Sequence, residues 1–154
     1  LQDAPRFSVP MPFNTLLWRV VAMTPDGYLE GERSLVADRG PMRFRAYADD
    51  RAARAAMADI PAAAQLLWFN HHFAKAEVHD GRLVLTDLRM GAEPDYTFRF
   101  VVAERVTASA NTAQGPKPAT GWRAIPPVQL KWPWDAAGRL AAMWTRIWSE
   151  PAPR

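Results

Sequence analysis

Two Asp-Gly pairs, Asp26-Gly27 and Asp80-Gly81, set the narrowest limit on what this chain can fold into. Each lies between runs of apolar residues, where Asp-Gly signals a tight hairpin. In "TPDGY" Pro25 presets φ, Asp26 bonds its own backbone and Gly27 takes a left-handed position. That predicts a three-residue turn joining strands over 15–24 and 28–35. "AKAEVH" and "RLVLTDLRM" flank Asp80-Gly81 and predict a two-residue type I′ turn. Short turns of this kind join antiparallel strands only. The expected fold class is therefore α+β: a mostly antiparallel sheet of about five strands built from hairpins, with helices packed on one face.

The remaining segments fill in that frame. "MRFRAY" (42–47) reads as a short edge strand, and "PDYTFRFVVAERV" as a strand pairing with the second hairpin, with Tyr96, Phe98, Phe100 and Val102 on one side. "DDRAARAAMADI" opens a helix on aspartate. After Pro61, "AAAQLLWFNHHF" puts Ala62, Leu66, Phe69 and Phe73 on one helical face. A last helix over 135–149, capped by Asp135, carries the stripe Leu140, Met143, Trp144, Ile147 and Trp148. Residues 1–13 read as an extended lead-in, 107–121 as a flexible loop, and "PPVQLKWPW" as irregular. With 154 residues, 49% of them hydrophobic, the expectation is a single soluble domain over 1–154.

Several function classes are excluded on composition and spacing. Nineteen Lys and Arg against sixteen Asp and Glu leave a net charge of +3 with no basic run, which excludes a nucleic-acid partner. There is no cysteine for a disulfide, a thiolate site or a nucleophile. His71 and His72 are helix neighbours about 100° apart, unable to chelate as an i, i+4 pair does. No G-x-S-x-G, phosphate loop or dinucleotide fingerprint occurs. No catalytic or metal-ligating residue is assigned, and no cofactor is expected in this chain.

What remains is charge in oily places. With the three-residue turn, Arg19 would lie opposite Arg33 on a face otherwise made of Leu17, Val21, Met23, Leu29 and Leu35. Asp87 and Arg89 continue the apolar face of the second hairpin. Like charges across a ladder repel, and a buried charge needs a partner. Arg19, Arg33, Asp87 and Arg89 are thus the candidate ion-pair cluster, with Asp87 the expected carboxylate for Arg19. A structural network, an anionic ligand among surplus arginines, and catalysis by Asp87 are the three readings. Trp144 and Trp148, flanked by Arg139 and Arg146, fit either a terminal helix docked on a sheet or an interfacial membrane helix.

"PFNTLLWRVVAMTPDGYLEG", "LLWFNHHF", "LVLTDLRMG" and "PDYTFRFVVAER" together resemble the C-terminal part of YdjM-type bacterial inner-membrane proteins, from Pro12 to Arg105. These are usually described as membrane-bound metal-dependent hydrolases or as LexA-binding inner-membrane regulators. Asn14, Trp18, Arg19, Asp87, Leu88, Arg89, Met90 and Gly91 carry the match. The resemblance implies an upstream membrane region that would hold the family's histidines and acids, and any divalent metal with them. The chain begins without methionine, consistent with a piece of something longer. The resemblance implies an inner-membrane location through that region, with this domain soluble; the chain's basic character favours the cytoplasmic side. Three roles follow: a non-catalytic accessory or recognition domain with a protein partner, the substrate-binding part of an active site completed by the membrane region, or a membrane-surface docking module.

Overall fold

Both hairpins form, and both close on two-residue turns. In the computed structural model, which describes residues 3–106, 121–131 and 136–151, strand β2 (Leu17–Thr24) returns as β3 (Gly27–Ser34) with Thr24 opposite Gly27. Strand β5 (Ala74–His79) returns as β6 (Arg82–Asp87) with His79 opposite Arg82. Asp80 and Gly81 have φ of 49° and 70°, the two positive dihedrals that a type I′ turn needs. The second register is as expected, with Val78 opposite Leu83 and Ala76 opposite Leu85.

The first register differs by one residue. Pro25 and Asp26 make the turn alone, so Gly27 already belongs to β3, and Arg19 lies opposite Glu32 rather than Arg33. A one-residue slip exchanges the faces of a whole strand. Tyr28, Glu30, Glu32 and Ser34 therefore share the face of Leu17, Arg19, Val21 and Met23, where Leu29, Gly31, Arg33 and Leu35 were expected.

The hairpins do not join one sheet of about five strands. Each recruits neighbours close in sequence into its own antiparallel sheet of four. The chain divides into two compact units, residues 1–48 with 133–154 and residues 49–132. In the first, β1 (Arg6–Pro10) and β4 (Phe44–Ala48) flank the hairpin in the order β1-β2-β3-β4. The sheet carries helix α3 (Ala136–Trp148).

In the second unit the order is β10-β9-β6-β5, from β9 (Arg99–Arg105) and β10 (Trp122–Gln129). The "PPVQ" stretch, read as irregular, belongs to β10. Pro126 and Pro127 fall within a register shift between Ala124 and Val128, on an edge strand where missing N–H groups are tolerated. Helices α1 (Arg51–Met57) and α2 (Pro61–Phe69) bring Ala53, Met57, Ile60 and Ala63 onto Ala74, Ala76, Leu83, Leu85, Val102 and Ala103. A two-stranded ribbon, β7 (Gly91–Ala92) with β8 (Asp95–Tyr96), precedes β9. Residues 107–120, Trp132, Trp134 and Asp135 lie outside the described residues, and with them the expected loop and helix cap. Among the described residues no helix is long and apolar enough to cross a membrane.

Helix α2 ends before Phe73, so only part of the expected face forms: Ala62 and Leu66 pack on the core beside buried Ala63, while Phe69 is exposed. The end is a Schellman arrangement, in which the His72 N–H donates to the Leu67 carbonyl (2.9 Å) and the His71 N–H to the Trp68 carbonyl (3.2 Å). His71 and His72 sit at φ of 54° and 65°, the region that favours glycine. Replacing exposed His71 by glycine is expected to raise stability by about 1 kcal/mol. His79→Gly, within β5, should lower it. Urea unfolding midpoints of the two variants check this pair of opposite signs.

Candidate functional site

Arg19 is 1% exposed, and its carboxylate is Glu30, at 3.0 Å from one guanidinium nitrogen. Glu30 faces Val21 in the ladder and so reaches Arg19 diagonally, while Glu32 lies directly opposite. The Phe7 ring, 5.4 Å away, adds a cation–π contact. The expected partner, Asp87, belongs to the other compact unit and meets Arg89. Two causes combine: the hairpins lie in separate sheets, and the register of the first puts Glu30 on the face of Arg19. Arg33 occupies the opposite face from Arg19, and its guanidinium donates to the Gly40 carbonyl at 2.8 Å.

Helix α3 docks on this charged face through Arg146. Its guanidinium donates to both carboxylate oxygens of Asp38 (2.8 and 2.6 Å) and to the Glu32 carbonyl (3.3 Å). The Ser34 hydroxyl donates to the Ile147 carbonyl at 2.5 Å, and the Asn14 amide reaches the Met143 sulfur at 3.4 Å. Two guanidinium groups therefore meet three carboxylates, Glu30, Glu32 and Asp38. Burial pushes the Glu32 carboxyl up and Arg146 opposes it, with Glu30 adding to the rise. The Arg146 hydrogen bonds hold Asp38 below its ordinary value against the effect of burial. The inward stripe is thus Met143, Arg146 and Ile147. Of the expected apolar stripe, Leu140, Trp144 and Trp148 face outward, the two tryptophans 62% and 56% exposed.

In the second unit, Asp87 ends β6 and the chain turns back on it. Its Oδ1 accepts from the Arg89 backbone N–H (2.9 Å), and its Oδ2 from the Arg89 guanidinium (2.8 Å). Those hydrogen bonds raise Arg89 above its ordinary value, so it is a fixed cation. The guanidinium lies over the Phe69 ring at 4.9 Å. Trp68 is 76% exposed, and Phe69 and Met90 are exposed with it. Met90 is held by the Thr97 N–H on its carbonyl, at the start of a ribbon tight enough that a Cβ on Gly91 would sit 2.8 Å from the Asp95 carbonyl oxygen. Next in sequence to Phe69, the buried Asn70 Oδ1 finds no hydrogen-bond partner among the described residues, and the left-handed His71 and His72 follow it. "LLWFNHHF" and "LVLTDLRMG", distant in sequence, meet here.

Two further features are chemically quiet. Lys75 contacts Glu77 (3.3 Å) and Glu93 (3.1 Å), and Glu77 also takes Arg99 (2.8 Å), around a cavity of about 220 Å³. Burial works to lower Lys75, but Glu77 and Glu93 outweigh it and leave it raised, a protonated ammonium rather than a nucleophile. Burial likewise works to raise Glu77, and Arg99 and Lys75 outweigh it. A cleft of about 600 Å³ runs beside alanines of α1, with Arg105 over the Trp122 ring at 4.5 Å. Among the described residues its one carboxylate, Asp50, caps α1 by accepting the Ala53 N–H. Among the described residues no three His, Cys, Asp or Glu side chains group as metal ligands. Comparison with family profiles, characterised proteins and solved structures finds no match.

Sequence reasoning missed Glu30, because the turn was counted one residue too long, and missed the exposure of Trp68, Phe69 and Met90. Glu30→Ala is expected to cost about 3–5 kcal/mol by stranding Arg19, and Arg19→Leu with Glu30→Leu to recover most of it. A double-mutant cycle by urea unfolding measures the coupling; a value near zero refutes the pairing. The second expectation concerns pH. Because Glu32 is raised when folded, its contribution is full below the ordinary carboxylate range and is lost as pH rises through the raised value. Glu32→Gln should therefore flatten the dependence of the urea midpoint from pH 4.5 upward, a window above the 3.8 at which Asp38 ordinarily titrates.

Proposed function

We propose that this chain is a non-catalytic accessory or recognition domain of a YdjM-type membrane-associated protein, and that it recognises a protein partner through the surface made by Trp68, Phe69, Arg89 and Met90. The observation that carries the reading is the convergence of two resembling segments on one exposed patch, with Arg89 held over Phe69 by Asp87. Tryptophan, phenylalanine, methionine and arginine are the residues enriched where proteins meet. Local strain supports the same surface. Two histidines in the left-handed region and an orphaned buried amide oxygen each carry a local free-energy cost, and such costs gather at working surfaces.

The reading against which this stands is a substrate site built from the arginines. Arg19 is buried against Glu30, and Arg89 is engaged by Asp87, so neither presents a cation awaiting an anionic substrate. In cells expressing the intact gene, a photo-crosslinking side chain at Met90 is expected to give a discrete adduct that Trp68→Ser with Phe69→Ser abolishes. The same side chain at exposed Gln65 should give none. Equal labelling at both positions overturns the recognition surface. Hydrolysis of phosphoesters or carboxylic esters by the chain, lost on chelation and in Asp87→Ala, overturns the non-catalytic reading.

A further inference from the structure

Helix α3 presents a face to solvent that the packing of its own unit does not use. Its exposed positions carry no charged side chain: Leu140, Trp144 and Trp148 follow one another at successive turns, with small residues beside them. The two indoles meet edge-on at 5.8 Å. Phe13, the neighbour of the asparagine that reaches Met143, is 88% exposed and sits at φ 59°, where a bulky residue is rare. Cations border this face. Arg139 adjoins Leu140 in the helix. Exposed Arg39 and Arg43 lie at its C-terminal end, the Arg39 backbone N–H donating to the Glu150 carboxylate (3.0 Å) and the Arg43 guanidinium to the Pro151 carbonyl (3.4 Å). Arg139 within the helix and Arg39 and Arg43 past its C-terminal end thus place three arginines in reach of the aromatic positions, with Glu150 beside two of them.

We infer that this face docks on an anionic lipid surface, α3 lying in the plane of the interface. Indole rings settle at headgroup depth, and arginines beside them meet anionic headgroups. Charge complementarity selects this occupant over a second copy. A two-fold contact through α3 would set the same arginines against themselves. The inference is independent of the Arg89–Phe69 surface, whose residues belong to the other unit.

The test is co-sedimentation of the chain with vesicles of phosphatidylcholine alone or with one-quarter phosphatidylglycerol, at low and at physiological salt. Binding to the anionic vesicles is expected to be roughly ten-fold tighter than to neutral ones and to weaken with salt. Trp144→Ser with Trp148→Ser should abolish it and remove a blue shift of indole emission, at an unchanged urea midpoint because both side chains are exposed. Arg39→Glu with Arg139→Glu should remove the preference for anionic lipid while leaving Trp144 and Trp148 in place. Absence of binding at low salt, or binding that survives the tryptophan substitutions, overturns the inference. So does a concentration-dependent dimer that those substitutions dissolve, since a second copy would then be the occupant.

Discussion

Burying Arg19 is the constraint from which the rest of its unit follows. A guanidinium removed from water inside a sheet face demands a carboxylate at hydrogen-bond distance, because the unpaired alternative costs several kcal/mol. Glu30 meets that demand only in the register the first hairpin adopts. The same register brings Glu32 onto the face, and the surplus acid is met by Arg146 from α3. Arg146 in turn closes on Asp38, and the helix is held by its charge rather than by its tryptophans. The exposure of Trp144 and Trp148 is thus a downstream consequence of a buried arginine on β2 of the same unit.

This chain of dependence explains what the sequence made legible. That Arg19 is buried and paired follows from alternation, because Leu17, Val21 and the arginine must share a face whatever the turn does. Which acid it meets depends on whether Pro25-Asp26 or Pro25-Asp26-Gly27 makes the turn, a difference of one residue that exchanges every partner on β3. The turn and register of the second hairpin were legible because Asp80 and Gly81 both accept positive φ, leaving a single turn geometry, although β6 ends at Asp87 rather than running on through Met90. The span of α3 was legible from its period, but its orientation was not. Apolar periodicity assigns Trp144 and Trp148 to the inside because it gives no weight to an arginine that ion-pairs in the interior. Likewise Phe69 fits an apolar stripe on paper, yet α2 ends at that residue, and the turn that follows leaves the ring outside. Two prolines hid β10, since a strand at a sheet edge can lack N–H groups that an interior strand must supply.

The groups whose pKa values move furthest are met by neighbouring charges within their own unit, and that bears on chemistry. Catalytic acids and bases require pKa values moved toward neutrality, by burial or by like charge. Lys75 and Arg89 move the other way, held protonated by the carboxylates beside them. Glu77 and Asp38 are held ionised by arginines. Among the described residues whose pKa values move, Glu32 is the carboxyl moved in the direction a general acid needs, and it lies beside Arg146 on the face that seats α3. These ion pairs hold the fold, whereas large apolar side chains are left outside, in Trp68, Phe69 and Met90 on one unit and Leu140, Trp144 and Trp148 on the other. Exposed large aromatics next to arginine are the reverse of what a domain needs for its own stability, and they are what contact with another surface needs.

A buried ion pair is weak evidence for stability, since apolar residues of similar size often serve as well. Its retention at Arg19 and Glu30 is better understood through the alternatives it excludes. In the register one residue away, Arg19 would face Arg33 and its diagonal neighbour would be Gly31, so the guanidinium would be buried against a like charge with no acid on that strand's face. The apolar residues make no such distinction, because Leu29 and Leu35 would fill the face about as well as Tyr28 does. Hydrophobic burial therefore drives the hairpin to close without deciding how, and the arginine decides. Specifying the register specifies the place of Glu32, hence the seat of Arg146, hence which side of α3 meets solvent.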